Sequence, residues 1–424
     1  MVDPTCGVEA DADLGLAGGR IVPVEDIDEH RATIVDATGL LVCPGFFDMH
    51  VHLREPGFAH KETIQSGCRA AVAGGFAAVA CMPNTKPAID SVETVQWVLE
   101  RAANVNLCRV YPIAAITVGR QGERVVDMEA LKASGAVAFS DDGDGVERDD
   151  VMRRAFETAA ACGATLIQHC EFKTGPNSSH GGVMHAGSVA KRLKLPGIDP
   201  RAEEAMIERD LELLRQVGGR YHVAHISTAR AVDLVRQAKC RGLPVTAEVC
   251  THHLVLSDEA CAEADPNTKM HPPLRPAPDV AACVAGVADR TIDCIVTDHA
   301  PHTAEEKAVG FAKAPFGIIG LETAVGLAVK ALIEPGLLDW KVFAALMCTH
   351  PYRVLGLPPP SLAPGQPATL TLIDPAASWT VDPARLHSKS HNTPFAGWTL
   401  PARAVAVMID GNWAQRPEFK TRSS

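Results

Sequence analysis

Phe46-Phe47-Asp48-Met49-His50-Val51-His52-Leu53-Arg54 begins as an apolar run and closes on two histidines one residue apart. The run predicts a buried strand. A strand sends residues i and i+2 to the same face, so His50 and His52 project side by side from its end. Two converging imidazoles are half of a metal site, although a bare His-x-His is as often an ordinary strand feature. The rest of the chain decides between the two, because further candidate ligands each stand at the end of an apolar run.

Such runs recur at 46–53, 76–84, 110–118, 137–142, 164–171, 221–227, 244–252 and 294–301, with helical periodicity between them. One helix is expected over 91–103, where Asp90 and Glu93 resemble a capping box. Another is expected over 229–241, capped by Thr228 and ended by Gly242. Eight strands alternating with helices over about 250 residues predict an α/β fold of the (β/α)8 TIM-barrel type. A doubly wound sheet would instead gather ligands at a switch point. The ends leave this rhythm. Residues 21–44 and 368–413 alternate apolar and polar in short runs, and predict a small β-sandwich-like domain built from both termini. The expected division is 1–45 and 356–424 for that domain and 46–355 for a metal-binding barrel, with Pro358-Pro359-Pro360 and Gly365-Gln366-Pro367 as linker.

Composition narrows the function. The chain has 424 residues, 46% of them hydrophobic, enough for one large and one small core. A net charge of −11 argues against a nucleic-acid partner and would repel an anionic substrate unless a metal and an arginine supply local positive charge. The 13 cysteines form no Cys-x-x-Cys pair and are expected to be reduced. Neither a signal peptide nor an apolar run of membrane-spanning length is evident, so a soluble cytoplasmic protein that does not engage membranes is expected.

Polar residues cluster at the predicted strand ends. His50 and His52 close the first strand, Asp141 and Asp142 the fourth, His169 the fifth, His225 the sixth and Asp298 the eighth. Carboxyl ends of barrel strands share one mouth. Four histidines and two aspartates exceed what one tetrahedral zinc accepts, so two metals sharing a carboxylate fit better. His50, His52 and Asp298 would hold the first and His169 and His225 the second, with Asp141 or Asp142 between them. Hydrolysis or its reverse is the natural chemistry. Other polar residues read more plainly. His252 and His253 are expected to be structural, His222 to face away from His225, and His299 to point away from the metals. Glu305, Glu306 and Lys307 fit either a mobile lid or a solvated loop.

The segments His50-Val-His-Leu-Arg-Glu-Pro-Gly57, Met82-Pro-Asn-Thr85, Phe139-Ser-Asp-Asp-Gly143, His225-Ile-Ser-Thr228, Thr297-Asp-His-Ala-Pro-His302 and Ala314-Pro-Phe-Gly317 together resemble the class I dihydroorotases of the amidohydrolase superfamily, colinearly from about Ile34 to Gly411. The resemblance implies zinc-dependent, reversible hydrolysis of L-dihydroorotate to N-carbamoyl-L-aspartate in pyrimidine synthesis. It implies two zinc ions on His50, His52, Asp142, His169, His225 and Asp298, with Asp142 as the bridge. His52, Arg54, Asn84, His302, Phe316 and Gly317 match positions that contact substrate, and Asp298 suits the general base. Arg54, two residues past His52, is expected on the same strand face and able to pair bidentately with a carboxylate. His271 stands near substrate where relatives commonly carry Asn, and Ala368 where they often carry Asp. Relatives usually have an extra strand upstream of the Met1-Val-Asp-Pro start, so the expectation is either that the small domain lacks one strand or that the start is misassigned. A homodimer is expected, and aspartate transcarbamoylase is a candidate partner. Two alternatives differ in kind. Dihydropyrimidinases, hydantoinases and allantoinases bridge their metals with a carboxylated lysine, for which Ser140-Asp141-Asp142 offers none. Non-catalytic scaffolds for aspartate transcarbamoylase have degenerate ligands, and none is missing here.

Overall fold

The computed structural model describes residues 1–28, 30–415 and, for the backbone, 421–423. Eight parallel strands form one sheet in chain order: β1 (Phe46–Val51), β2 (Phe76–Cys81), β3 (Arg109–Ala114), β4 (Ala138–Phe139), β5 (Thr165–Gln168), β6 (Arg220–Val223), β7 (Val245–Cys250) and β8 (Cys294–Val296). The sheet closes into a barrel just beyond β8. There His299 bridges Val51 in parallel, and the His52 N–H donates to the His299 carbonyl at 2.8 Å. Every residue of β1 and β2 is buried, as expected of strands covered on both faces. Among the described residues no helix is long and apolar enough to cross a membrane.

Several strands stop short of their apolar runs. β4 keeps only two residues because Asp141 takes over the next backbone donors, accepting from the Ile116 and Thr117 N–H groups at 2.8 and 3.0 Å. The helix after β2, Val92–Val105, is capped one residue later than the sequence suggests. Ser91 and Thr94 form the reciprocal box, while the Asp90 carboxylate accepts from the Gly119 N–H at 2.7 Å. Thr228 caps Ala229–Cys240 as expected, through the Ala231 N–H at 3.0 Å, and Gly242 follows at φ +77°.

Both chain ends meet in a four-stranded antiparallel sheet. Leu370–Thr380 pairs with Leu41–Pro44 on one side and with Thr399–Ile409 on the other, and Asn412–Gln415 forms the far edge. Period-2 alternation gives the sheet two apolar faces. Leu370, Leu372, Ala406 and Met408 face outward and pack with Ile21 and Leu362, whereas Ile373, Ala402 and Val407 join the barrel core. At the junction the Thr371 hydroxyl donates to the Gly75 carbonyl at 2.7 Å and accepts from the Phe46 N–H at 3.2 Å. Gly75 has φ +96°, and a Cβ there would lie 2.6 Å from the Ala404 Cβ.

That junction admits only glycine at position 75. Gly75→Ala should cost about 2 kcal/mol from left-handed strain and overpacking together. Equilibrium denaturation would reveal it as a lowered midpoint, and an unchanged midpoint would show that sheet and barrel are not pressed together there.

Candidate metal centre

The barrel mouth gathers four imidazoles around one carboxylate. Asp142 Oδ1 lies 3.4 Å from His50 Nε2, 3.5 Å from His225 Nε2 and 3.7 Å from His169 Nδ1, and its Oδ2 lies 3.5 Å from His52 Nε2. Asp298 Oδ1 approaches His52 Nε2 at 2.8 Å and His50 Nε2 at 3.6 Å. All six residues are buried. Donor atoms sharing a tetrahedral zinc sit about 3.3 Å apart, given zinc–nitrogen and zinc–oxygen distances near 2 Å, and most of these separations are close to that. His225 and Asp298 lie just past their strands at φ +30° and +47°, sterically costly values that turn their side chains into the mouth.

Hydrogen bonding prepares the donors. The His50 Nδ1–H donates to Glu248 Oε1 at 2.5 Å and the His52 Nδ1–H to Asn84 Oδ1 at 2.8 Å, leaving each Nε2 as a lone pair. His52 Nε2 then faces the Asp298 carboxylate, acceptor against acceptor, and burial disfavours a protonated His52. Buried His50 Nε2 and Asp142 Oδ1 have no hydrogen-bond partner at all. A cation shared by these atoms resolves each conflict, so the donor set fits divalent metal. Asp141, the other candidate left open by the sequence, turns outward to Ile116 and Thr117.

The sequence did not single out Glu248. This buried β7 carboxylate joins His50 to His222, whose Nε2 lies 3.1 Å from Oε2, and also accepts from the His225 N–H at 3.3 Å. His222 therefore belongs to the barrel interior behind the cluster, against the expectation that it faces away from His225. The strand ends at Val223, and the left-handed turn at His225 defeats the parity count. An acidic residue inside the apolar run of β7 was the available signal. Glu171 was likewise missed: its Oε1 lies 2.8 Å from His271 Nε2 and its Oε2 3.8 Å from His169 Nε2.

Around this cluster stand the residues expected to meet substrate. Arg54 does not continue the strand face, because β1 ends at Val51 and Arg54 has φ +62°. Its Nε donates to the Pro301 carbonyl and its terminal nitrogen to His302 Nε2, both at 3.2 Å. Burial pulls the guanidinium down to about 10, still charged at neutral pH. Phe316 stacks on His271 at 4.5 Å. Gly317, at φ +119°, lies where a Cβ would come 2.6 Å from the Ala300 Cβ, so the chain can pass beside His302. His299 points away from the cluster, accepting from the Gly320 N–H at 3.1 Å. The segment proposed as lid or solvated loop is neither free nor solvated at Lys307. That buried ammonium donates to the carbonyls of Pro266, Lys269 and Pro315 at 3.0, 3.4 and 2.9 Å.

The family described as Dihydro-orotase-like matches residues 39–231. A dihydroorotase of Pelotomaculum thermopropionicum is 49% identical over 416 residues, 97% of this chain and 96% of that one. A dihydroorotase of Anaeromyxobacter sp. (strain K) is 48% identical over 415 residues, 97% and 95% of the two chains. Among solved structures, dihydropyrimidinase from Brevibacillus agri superposes with a TM-score of 0.85 at 20% identity, covering 100% of this chain and 95% of that one. L-Hydantoinase from Arthrobacter aurescens gives 0.83 at 22% identity, covering 96% and 92%. At such identities these two share the barrel architecture alone. Near-half identity along almost the whole of both chains is a different matter, and by it this chain belongs to the dihydroorotase family of the amidohydrolase superfamily.

Proposed function

We propose that the chain is a cyclic amide hydrolase that interconverts L-dihydroorotate and N-carbamoyl-L-aspartate, using two zinc ions bridged by Asp142. The observation that carries this is an aspartate, rather than a lysine, at the centre of the four imidazoles. The near-full-length similarity to dihydroorotases supports it. Zinc bound by His50, His52, Asp142, His169, His225 and Asp298 would lower the pKa of the attacking water and polarise the ring carbonyl. The protein supplies the rest. Arg54 pairs with the substrate carboxylate, with Asn84 and His302 beside it, and His271, Phe316 and Gly317 line the adjoining wall. Asp298 takes the proton of the attacking water and delivers it to the ring nitrogen as the C–N bond breaks; in the reverse direction it removes that proton from the carbamoyl nitrogen. Turnover of dihydroorotate by zinc-loaded protein, with dihydrouracil, hydantoin and allantoin as competitors, tests the assignment; preference for any of the latter three would overturn it. A homodimer and an association with aspartate transcarbamoylase belong to the same proposal, and sedimentation with and without the transcarbamoylase tests both.

Arg54→Lys keeps the charge but loses the planar fork. KM should rise while the metal content measured by mass spectrometry stays at the wild-type level; an unchanged KM would remove Arg54 from the substrate site. Asp298→Asn removes the proton acceptor, and turnover should fall by about 10²-fold or more in both directions. Retained activity with metal bound would move proton transfer elsewhere.

An aspartate carboxylate is present as soon as the chain folds, whereas a carboxylated lysine needs carbon dioxide. Stripped protein should therefore regain activity with zinc alone in carbonate-free buffer. Asp142→Ala should lose metal and Asp141→Ala should retain it, since two cations need a shared anion to offset their repulsion. Dependence on bicarbonate, or metal loss confined to the Asp141 variant, would displace Asp142 from the bridge.

A further inference from the structure

Strand β7 lies between the strands that lead to His225 and Asp298, and its end carries a second group of donors. Cys250, His252 and His253 each bring one ligand-type atom to within 4.8 Å of the others. All three are buried, at 0%, 2% and 2% exposure, in the turn that leaves the strand. The two imidazoles are 4.4 Å apart, and Nδ1 of each is buried without a hydrogen-bond partner. Folded proteins rarely leave two such atoms unsatisfied side by side. His253 is oriented as metal-bound histidines usually are: its Nε2–H donates to the Pro272 carbonyl at 3.1 Å, which fixes the tautomer and leaves Nδ1 as a bare lone pair. Burial holds both rings neutral, with His252 down to about 4 and His253 well below its ordinary value. The expectation that these histidines are merely structural leaves the two unpartnered ring nitrogens unexplained.

We propose that Cys250, His252 and His253 form a further cation site, separate from the centre on Asp142, with a preference for borderline or soft divalent ions such as zinc. Sulfur sets the preference, because thiolate and imidazole together favour zinc-like ions over magnesium or calcium. On binding, the Cys250 S–H bond breaks, its proton passes to solvent and a metal–sulfur bond forms, while both imidazoles coordinate through lone pairs. One proton is released per ion and nothing is oxidised or reduced.

Cobalt reports this site directly. The full-length protein, stripped of metal and reloaded with Co2+ under reducing conditions, should show near-ultraviolet thiolate-to-cobalt absorption. The six donors of that centre, Asp142 among them, contain no sulfur, so that band cannot arise from them. Cys250→Ala should lose the band and one equivalent of cobalt per chain, whereas Cys283→Ala, which removes a buried thiol outside the cluster, should keep both. His253→Gln should lose the equivalent as well, and stands in if the Cys250 variant does not fold. A wild-type spectrum without the band overturns the proposal. So does a folded Cys250→Ala protein with wild-type spectrum and stoichiometry.

Discussion

Ring closure is the constraint on which the centre depends. His52 and Asp298 are separated by 246 positions in the chain, yet their donor atoms lie 2.8 Å apart. They meet because the backbone just past β8 hydrogen-bonds to the end of β1. Opening that seam would separate donors from both ends of the barrel and leave buried imidazoles and carboxylates without their counterparts. Fold and centre thus support each other. The barrel lowers the entropy cost of gathering the donors, and a cation shared among them would offset carboxylate charge that burial alone makes prohibitive.

A chain with net charge −11 must still receive an anion, and the mouth shows how that becomes possible. Arg54 is buried beside His302, while Lys61 stands 3.0 Å from Glu306 at the same rim. Burial, followed by the cations of Arg54, Lys61 and Lys307, keeps His302 far below its ordinary pKa. A neutral imidazole can then accept from Arg54 without repelling it. Arg54 and Lys61 thus place two cations beside the mouth of a chain whose net charge is negative.

Much of this was legible in the sequence because it depends on short-range geometry. Period-2 alternation placed His50 and His52 together, and strand ends gathered the Asp141-Asp142 pair, His169, His225 and Asp298 at one mouth, with the choice of Asp142 coming from the family resemblance. Parity failed where the backbone leaves the extended region. Left-handed residues at Arg54 and His225 redirected the first and hid the true side of His222. Glu248 was hidden for another reason: its partner His50 is 198 residues away, and no local pattern joins them. At Asp90 the ordinary preference for an acidic cap lost to a tertiary hydrogen bond from Gly119, so the cap passed to Ser91. Lys307 looked like a solvent-facing charge because neighbouring charges suggested an open loop, whereas three distant carbonyls claim its ammonium.

The seam between the terminal sheet and the barrel also sets an order of events during synthesis. The Phe46 N–H, at the root of the strand that carries His50 and His52, is satisfied by Thr371, which lies 325 residues downstream. The N-terminal strand Leu41–Pro44 waits on the same C-terminal segment for its partner. The strand that carries the first donors can pair with β2 early, yet the hydrogen bond at its root is completed only when nearly the whole polypeptide has been made. Contacts of such sequence separation slow folding. A chain interrupted before residue 371 would contain all six donors of the centre, Asp142 among them, and still lack the acceptor for the Phe46 N–H at the root of their first strand.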